Sequence, residues 1–316
     1  IAQYHWSPVF FMSDIVDAER GGKLRTSPEE RGYVRHCPSK LGDLLPWYNC
    51  FYVLDYLMII VIAIALISLR AYKPTEANVD ALDRLPEDVI LEYYNFEAGD
   101  ELWTSGREYA LWIGIPITGF ILAQIWVWSL HDFHNAILGY IQSWIMTAFF
   151  VELFKRIFGF LRPDYLERID EYDDDSDTEF RDARMSFPSG HAASGMATLF
   201  FFSLYLLGKL RPFDEKAGDG FLFQFVMIIS PTVVCLYMSA TRITEFQHFF
   251  SDVIVGWLIG MFFAFCSYCL VYYPPVWHPL DGRPKPKRSR NIQAVFMRRF
   301  KEKDWFPCIP GGDKSE

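Results

Sequence analysis

The sequence has no glycine-rich nucleotide loop, no zinc motif, no internal repeat and no basic footprint for nucleic acid. Nucleotide-driven chemistry, zinc-built modules, solenoids and DNA or RNA binding are therefore not expected. Cysteine is scarce, and Cys37, Cys50, Cys235, Cys266, Cys269 and Cys308 form no metal-ligand pattern. None lies in the segments read below as external, so no structural disulfide is expected there. Cys266 and Cys269 fall inside an apolar run, where a small buried residue is the usual role. Cys50 abuts such a run, as an ordinary interfacial cysteine or a palmitoylation site. No basic, short-cored signal peptide opens the chain, whose first residue is Ile, so the first apolar run is expected to act as its own insertion signal. The external loops carry no N-x-S/T sequon.

What the sequence has instead is apolar surface: 51% of the 316 residues are hydrophobic and 18% aromatic, gathered into long runs. A bilayer core needs about 20 apolar residues per helical span. Six runs qualify, at roughly 51–69, 110–130, 136–154, 191–207, 221–240 and 251–273. A helix satisfies its own backbone in lipid, so the expected fold is an all-α integral membrane protein with six transmembrane helices. A soluble helical core is the bland alternative, and six such runs weigh against it. Pro116 and Pro231 are expected to bend their spans near the starts.

The net charge of −9 hides an asymmetry. The segment up to Asn49 carries six Lys/Arg and the tail after Tyr273 carries ten, with Lys209, Arg211 and Lys216 on a short loop between. Segment 71–108 has ten Asp/Glu against three Lys/Arg, and segment 164–187 has ten acids, including Asp173, Asp174 and Asp175. The positive-inside tendency puts both termini in the cytoplasm and the acidic loops in the lumen or outside the cell. The acidic run reads as a solvated loop. Three parts follow: a cytoplasmic segment 1–49, a six-span unit 50–273 and a basic cytoplasmic tail 274–316. Residues 5–16 and 292–306 mix aromatic with polar or basic residues, as interfacial helices do, and the tail suits lipid headgroups better than nucleic acid. Residues 85–96 are expected to form a short outer helix.

Ionisable residues at membrane spans are costly and tend to be functional. They fall at three places. The third span ends in Lys155 through Arg162-Pro163; Lys155 and Arg162, seven residues apart, lie on one helix face two turns apart, with Gly159 between them and Pro163 as the stop. The fourth opens with Ser186-Phe187-Pro188-Ser189-Gly190-His191, where a helix N-terminus offers free N–H groups to an anion and Gly190 allows close approach. The sixth opens after Arg242, with His248 and Asp252 four residues apart on one face. There a carboxylate can hold one imidazole nitrogen and leave the other to a substrate. Span parity brings all three places to one membrane side, at the outer ends of helices 3, 4 and 6.

The pooled set is Lys155, Arg162, Arg242, Ser189, the Gly190 amide, His191, His248 and Asp252. Three permanent cations and several donors suit a phosphate with developing charge. Two histidines suit a nucleophile and a general acid. No carboxylate cluster suited to Mg²⁺ is among them, so a metal-independent phosphohistidine route is expected, with no cofactor. Lone charges elsewhere read as structural: Arg70 and Arg156 as snorkelling anchors, Glu152 as a salt-bridge partner, and His131, His134 and His278 as interface residues.

These segments resemble the signature of the type 2 phosphatidic acid phosphatase superfamily, the lipid phosphate phosphatases: K-x6-R-P, then P-S-G-H, then S-R-x5-H-x3-D. Thr241 stands where the family has Ser and keeps the hydroxyl. Arg184-Met185-Ser186-Phe187 resembles the lipid phosphatase branch. The resemblance covers about residues 50–273. It implies that Lys155, Arg162, Ser189, Gly190 and Arg242 bind phosphate, that His191 is the acid and His248 the nucleophile, and that Asp252 orients His248. The implied activity is hydrolysis of lipid phosphates such as phosphatidate, lysophosphatidate or diacylglycerol pyrophosphate in a bilayer. Sphingoid-base or polyprenyl phosphates are alternative substrates. A non-catalytic six-span scaffold is the alternative class, disfavoured by the retained His191, His248 and Asp252. A channel is disfavoured because the inner halves of the spans are apolar.

Overall fold

A computed structural model gives the architecture and describes residues 53–97, 102–171, 181–213, 221–275 and 282–285. The expected interfacial segments, the acidic run 173–175 and Cys37, Cys50, Cys308 and His278 lie outside the described residues. The helices are α1 (Val53–Arg70), α2 (Ala77–Leu82), α3 (Glu87–Tyr94), α4 (Ser105–Val127), α5 (Leu130–Phe158), α6 (Tyr165–Glu171), α7 (Gly190–Leu210), α8 (Leu222–Thr244) and α9 (Phe250–Val271). No strand occurs among the described residues. Each of the six apolar runs falls on a helix. Five of these, in α4, α5, α7, α8 and α9, are long and apolar enough to cross a membrane. The run 51–69 corresponds to α1, an 18-residue apolar helix packed on α5.

The outside of the bundle is apolar. Leu57, Ile60 and Ile64 on α1, Ile121 and Ile125 on α4, and Val226 and Val233 on α8 are exposed. Contiguous apolar surface of this kind is unusual on a protein that faces water and normal on one that faces lipid.

Two boundaries differ from the expected ones. The break between the second and third spans is a tight turn, not the stretch 131–135. Trp128 caps α4 in a left-handed conformation, and Ser129 caps α5, its hydroxyl accepting from the Asp132 N–H at 3.3 Å. The polar residues 131–135 are thus the first turns of α5. Likewise, Lys155 and Arg162 do not share one helix. Gly159, not Pro163, ends α5, with φ of 55°. A Cβ there would meet the Thr75 carbonyl oxygen at 2.5 Å, so the position suits glycine on both counts. Asn78 Nδ2 donates to the freed carbonyls of Phe158 and Gly159 at 2.5 and 3.0 Å. The prolines also sit deeper than expected, because α4 begins before residue 110 and Pro231 lies well inside α8.

The central helix is α9, which packs against both α5 and α7. Its contact with α7 is backbone to backbone: a Cβ on Gly256 would meet the Ser189 carbonyl oxygen at 2.7 Å, and one on Gly260 would run into Ala193. Small residues let membrane helices approach this closely. Midway, α7 widens into a π-turn at Met196–Phe200. The Ser143 hydroxyl of α5 donates to the Ala197 carbonyl there at 2.7 Å. An aromatic core of Phe120, Tyr140, Phe201, Tyr205 and Tyr268 fills the half of the bundle beyond that turn. The start of α7 is therefore held rigidly against the start of α9, which positions the site.

Candidate active site

The site forms where α5 and α8 end and α7 and α9 begin. Beyond Gly159 the chain runs alongside residues 182–186, with Arg162 N–H donating to Ala183 at 3.0 Å and Ser186 N–H to Phe160 at 2.9 Å. Arg162 thereby reaches the bundle end as a fixed, buried cation. Its guanidinium donates to Asp182 Oδ2 at 2.5 Å, to the Asp182 carbonyl at 2.9 Å and to the Gln247 carbonyl at 3.4 Å. Lys155, on the last turn of α5, has Nζ 3.9 Å from Asp182 Oδ1.

Ser189 caps α7, its hydroxyl accepting from Ala192 N–H at 3.4 Å, while its own N–H donates to the Asp252 carbonyl at 3.0 Å. A Cβ on Gly190 would stand 3.8 Å from Lys155 Nζ, so the glycine amide and the lysine ammonium face one space. His191 follows, stacked at a tilt on Trp112 with ring centroids 6.0 Å apart.

Arg242, at the end of α8, is fully buried. Its guanidinium donates to the Trp103 carbonyl at 2.6 Å and Gln247 Oε1 at 2.9 Å, and pairs with Glu245 at 2.9 Å. Gln247 and His248 N–H both turn back to the Arg242 carbonyl, at 3.1 and 3.3 Å, and Phe246 takes a left-handed conformation to let them. This hook swings His248 inward. His248 Nδ1 lies 3.7 Å from Asp252 Oδ2, too far for a hydrogen bond. Asp252 is held by Ser186 Oγ at 2.5 Å, Phe249 N–H at 3.2 Å and Ser251 Oγ at 3.1 Å. Neither ring nitrogen of His248 has a hydrogen-bond partner among the described residues. Such contacts often tighten only when substrate is present.

All eight residues singled out in the sequence therefore come together at one end of the bundle. Three carboxylates there were not singled out. Glu245 follows Arg242 by three residues, a spacing that signals a helical ion pair. Asp182 was passed over with the acidic loop. Glu108 comes from α4, with Oε2 3.5 Å from His191 Nε2 and Oε1 3.7 Å from Arg242 Nε. No group of three or more His, Cys, Asp or Glu side chains suited to a metal occurs among the described residues. Behind Asp252, a cavity of roughly 350 Å³ opens between α2, α3 and the start of α9, lined by Leu82, Tyr94, Phe160 and Phe249. The expected outer helix, α3, forms its lid and stacks Tyr94 edge-on against Phe249.

Burial lifts the Asp182 carboxyl, but the charges of Arg162 and Lys155 outweigh it and hold the group well below the usual carboxylate range. His248 is held well below its ordinary value of 6.5, first by burial and then by Arg162 and Lys155. It is therefore neutral and able to act as a nucleophile at neutral pH. The unfolded chain takes a proton on this residue near pH 6.5 while the folded chain does not. The contribution of His248 to stability is thus constant above that pH and falls below it, with a limiting slope of about 1.4 kcal/mol per pH unit. The melting temperature in detergent is expected to drop between pH 7.5 and pH 5, and H248N is expected to drop less. Equal drops in the two proteins would mean that His248 titrates normally.

Residues 136–275 match the PAP2 superfamily. A PA-phosphatase related-family protein of Dictyostelium discoideum is 32% identical over 149 residues, covering 47% of this chain and 53% of its own length. Lipid phosphate phosphatase 2 of Arabidopsis thaliana is 31% identical over 169 residues, 49% of this chain and 56% of its own. Diacylglycerol pyrophosphate phosphatase 1 of Saccharomyces cerevisiae is 26% identical over 196 residues, 57% and 66% respectively. The chain thus spans about half to two thirds of the length of these relatives. No solved structure matches it.

Proposed function

We propose, from the premise that residues 136–275 are a domain of the PAP2 superfamily, that the chain hydrolyses lipid phosphates without a metal, through a phosphohistidine. One observation carries this reading: Lys155, Arg162 and His248 converge with the glycine-led N-terminus of α7 and with His191 at a single bundle end. Lys155, Arg162, the Ser189 hydroxyl and the Gly190 amide hold the phosphate oxygens. Arg242, whose two terminal nitrogens are engaged by Gln247, the Trp103 carbonyl and Glu245, acts from behind by setting the field and the hook that aims His248. A His248 nitrogen attacks phosphorus as the bond to the leaving oxygen breaks. His191 gives that oxygen its proton. Water then attacks the phosphohistidine, giving a proton back to His191, and inorganic phosphate leaves. Asp252 orients His248 and stabilises its positive charge during transfer.

Phosphatidate, lysophosphatidate and diacylglycerol pyrophosphate are the proposed substrates. The relatives' names and the apolar bundle surface support a lipid. We infer six spans, α1 included, with both termini cytoplasmic and the site on the lumenal or external face, a reading that the acidic loops support. The segments 1–49 and 274–316 flank the catalytic unit on the cytoplasmic side. The test is phosphate release from a panel of detergent-dispersed lipid phosphates, with and without EDTA. Release that persists in EDTA is expected. Release abolished by EDTA would end the metal-free claim, and preference for a water-soluble phosphate over every lipid would end the lipid assignment.

A further inference from the structure

Glu108 lies in the first turn of α4, outside residues 136–275 and outside every motif discussed above. It is 1% exposed. A carboxylate this deep among apolar helices is costly unless another charge answers it. Two charges are near, and the distances favour one. Arg242 Nε is 3.7 Å away, and the two terminal nitrogens of that guanidinium are held by Glu245, Gln247 and the Trp103 carbonyl. His191 Nε2 is closer, at 3.5 Å. One turn along the same helix, Trp112 packs its ring against His191. Trp112 is itself fixed, buried and with its carbonyl accepting from the Tyr140 hydroxyl at 3.0 Å. So α4 gives His191 both an aromatic wall and a carboxylate.

We propose that Glu108 is the positioning residue for the proton donor. It accepts the Nε2–H of His191, fixes the ring, and stabilises the doubly protonated form whose other N–H serves the leaving group. This rests on the reading of His191 as general acid. Among the described residues, the titratable and charged groups facing His191 are Lys155 at the end of α5, Arg162 beyond it, Arg242 on α8, Asp182 in the adjoining segment, the neutral His248, and Glu108 itself. Among the described residues Glu108 is the carboxylate nearest the ring, at 3.5 Å. When the phosphorus–oxygen bond breaks, the leaving oxygen keeps the electron pair and takes the proton. His191 becomes neutral and Glu108 remains a carboxylate, so the pair is ready to accept a proton from water in the second step.

The test separates positioning from general structure by the leaving group. An alkyl phosphate such as lysophosphatidate needs the acid; 4-nitrophenyl phosphate leaves well without it. General acid catalysis contributes about 10²–10⁴-fold. E108Q in the full chain is expected to lose about 10²-fold in kcat on lysophosphatidate with KM little changed, and far less on the nitrophenyl ester. E108D, which keeps the charge at a distance, is expected to fall between, and it carries the comparison if E108Q does not extract folded. Equal losses on the two esters, or no loss on either, would overturn the proposal. H191N locates any failure. If H191N separates the two esters and the Glu108 variants do not, only the role of Glu108 falls. If H191N does not separate them, the acid assignment falls and this inference with it.

Discussion

H248A is expected to lower phosphate release from lysophosphatidate by at least about 10³-fold, with no phosphate found on the protein. His248 is the neutral, buried imidazole among the pooled residues, with neither nitrogen committed to another group. Without it, the imidazole left beside Lys155 and Arg162 among the described residues is His191, which the scheme uses as the acid. Loss of a covalent nucleophile typically removes most of the acceleration and leaves what binding and charge stabilisation provide. Wild-type protein quenched in base during turnover of labelled substrate should retain an alkali-stable, acid-labile phosphate on His248, located by mass spectrometry. D252N should fall by about 10²–10⁴-fold while still forming some phosphoenzyme, because it misorients the ring without removing it. H248A retaining more than a tenth of wild-type turnover would remove the nucleophile from the scheme.

The second large effect lies at the opposite end of the bundle, where Asp132 is buried without solvent contact. Its carboxylate pairs with Lys209 of α7 and accepts from the Tyr205 hydroxyl at 2.9 Å, and its carbonyl accepts from Tyr272 at 2.8 Å. Lys209 also donates to the Gly282 carbonyl at 2.8 Å and lies about 5 Å over the rings of Tyr205 and Tyr272. The cluster ties α5, α7, α9 and the segment 282–285 together. K209M leaves the carboxylate buried and uncompensated, which typically costs about 3–5 kcal/mol. Removing both charges leaves no orphan, so D132L with K209M should recover most of that loss. The comparison is made by thermal unfolding in detergent. A double variant no more stable than K209M alone would mean that the cluster's packing, not its charge balance, holds this end.

Much of the site was legible in sequence because chemistry and parity leave marks there. His248 and Asp252 do come near each other, but not on a shared helical face: α9 begins at Phe250, and the hook before it brings His248 to within 3.7 Å of Asp252. The apolar runs located every long helix among the described residues, because a bilayer demands length and apolarity in contiguous stretches. Other features were not legible. Lys155 and Arg162, seven apart, mimicked a shared helical face, but the left-handed Gly159 breaks the helix between them. The polar run 131–135 resembled a loop, yet its aspartate serves a partner on α7, a long-range pairing that spacing does not reveal. Glu108 was hidden for the same reason: a single acid at the mouth of a span reads as an edge residue until α4 is seen beside α7. Asp182 stood in an acidic stretch, and only the backbone pairing of 182–186 with the chain after Gly159 shows which of those acids turns inward.

That inward turn gives the pocket the character of an ion exchanger. With the Asp182 carboxylate 2.5 Å from Arg162 and within 4 Å of Lys155, a phosphate dianion arriving as the proposed function requires meets two cations that already have a carboxylate beside them. It must swap with a counter-ion already in residence. Its affinity is then the difference between two sets of ion pairs rather than the whole of one, which favours turnover over retention: the same carboxylate that a substrate displaces on entry is at hand to replace the departing inorganic phosphate.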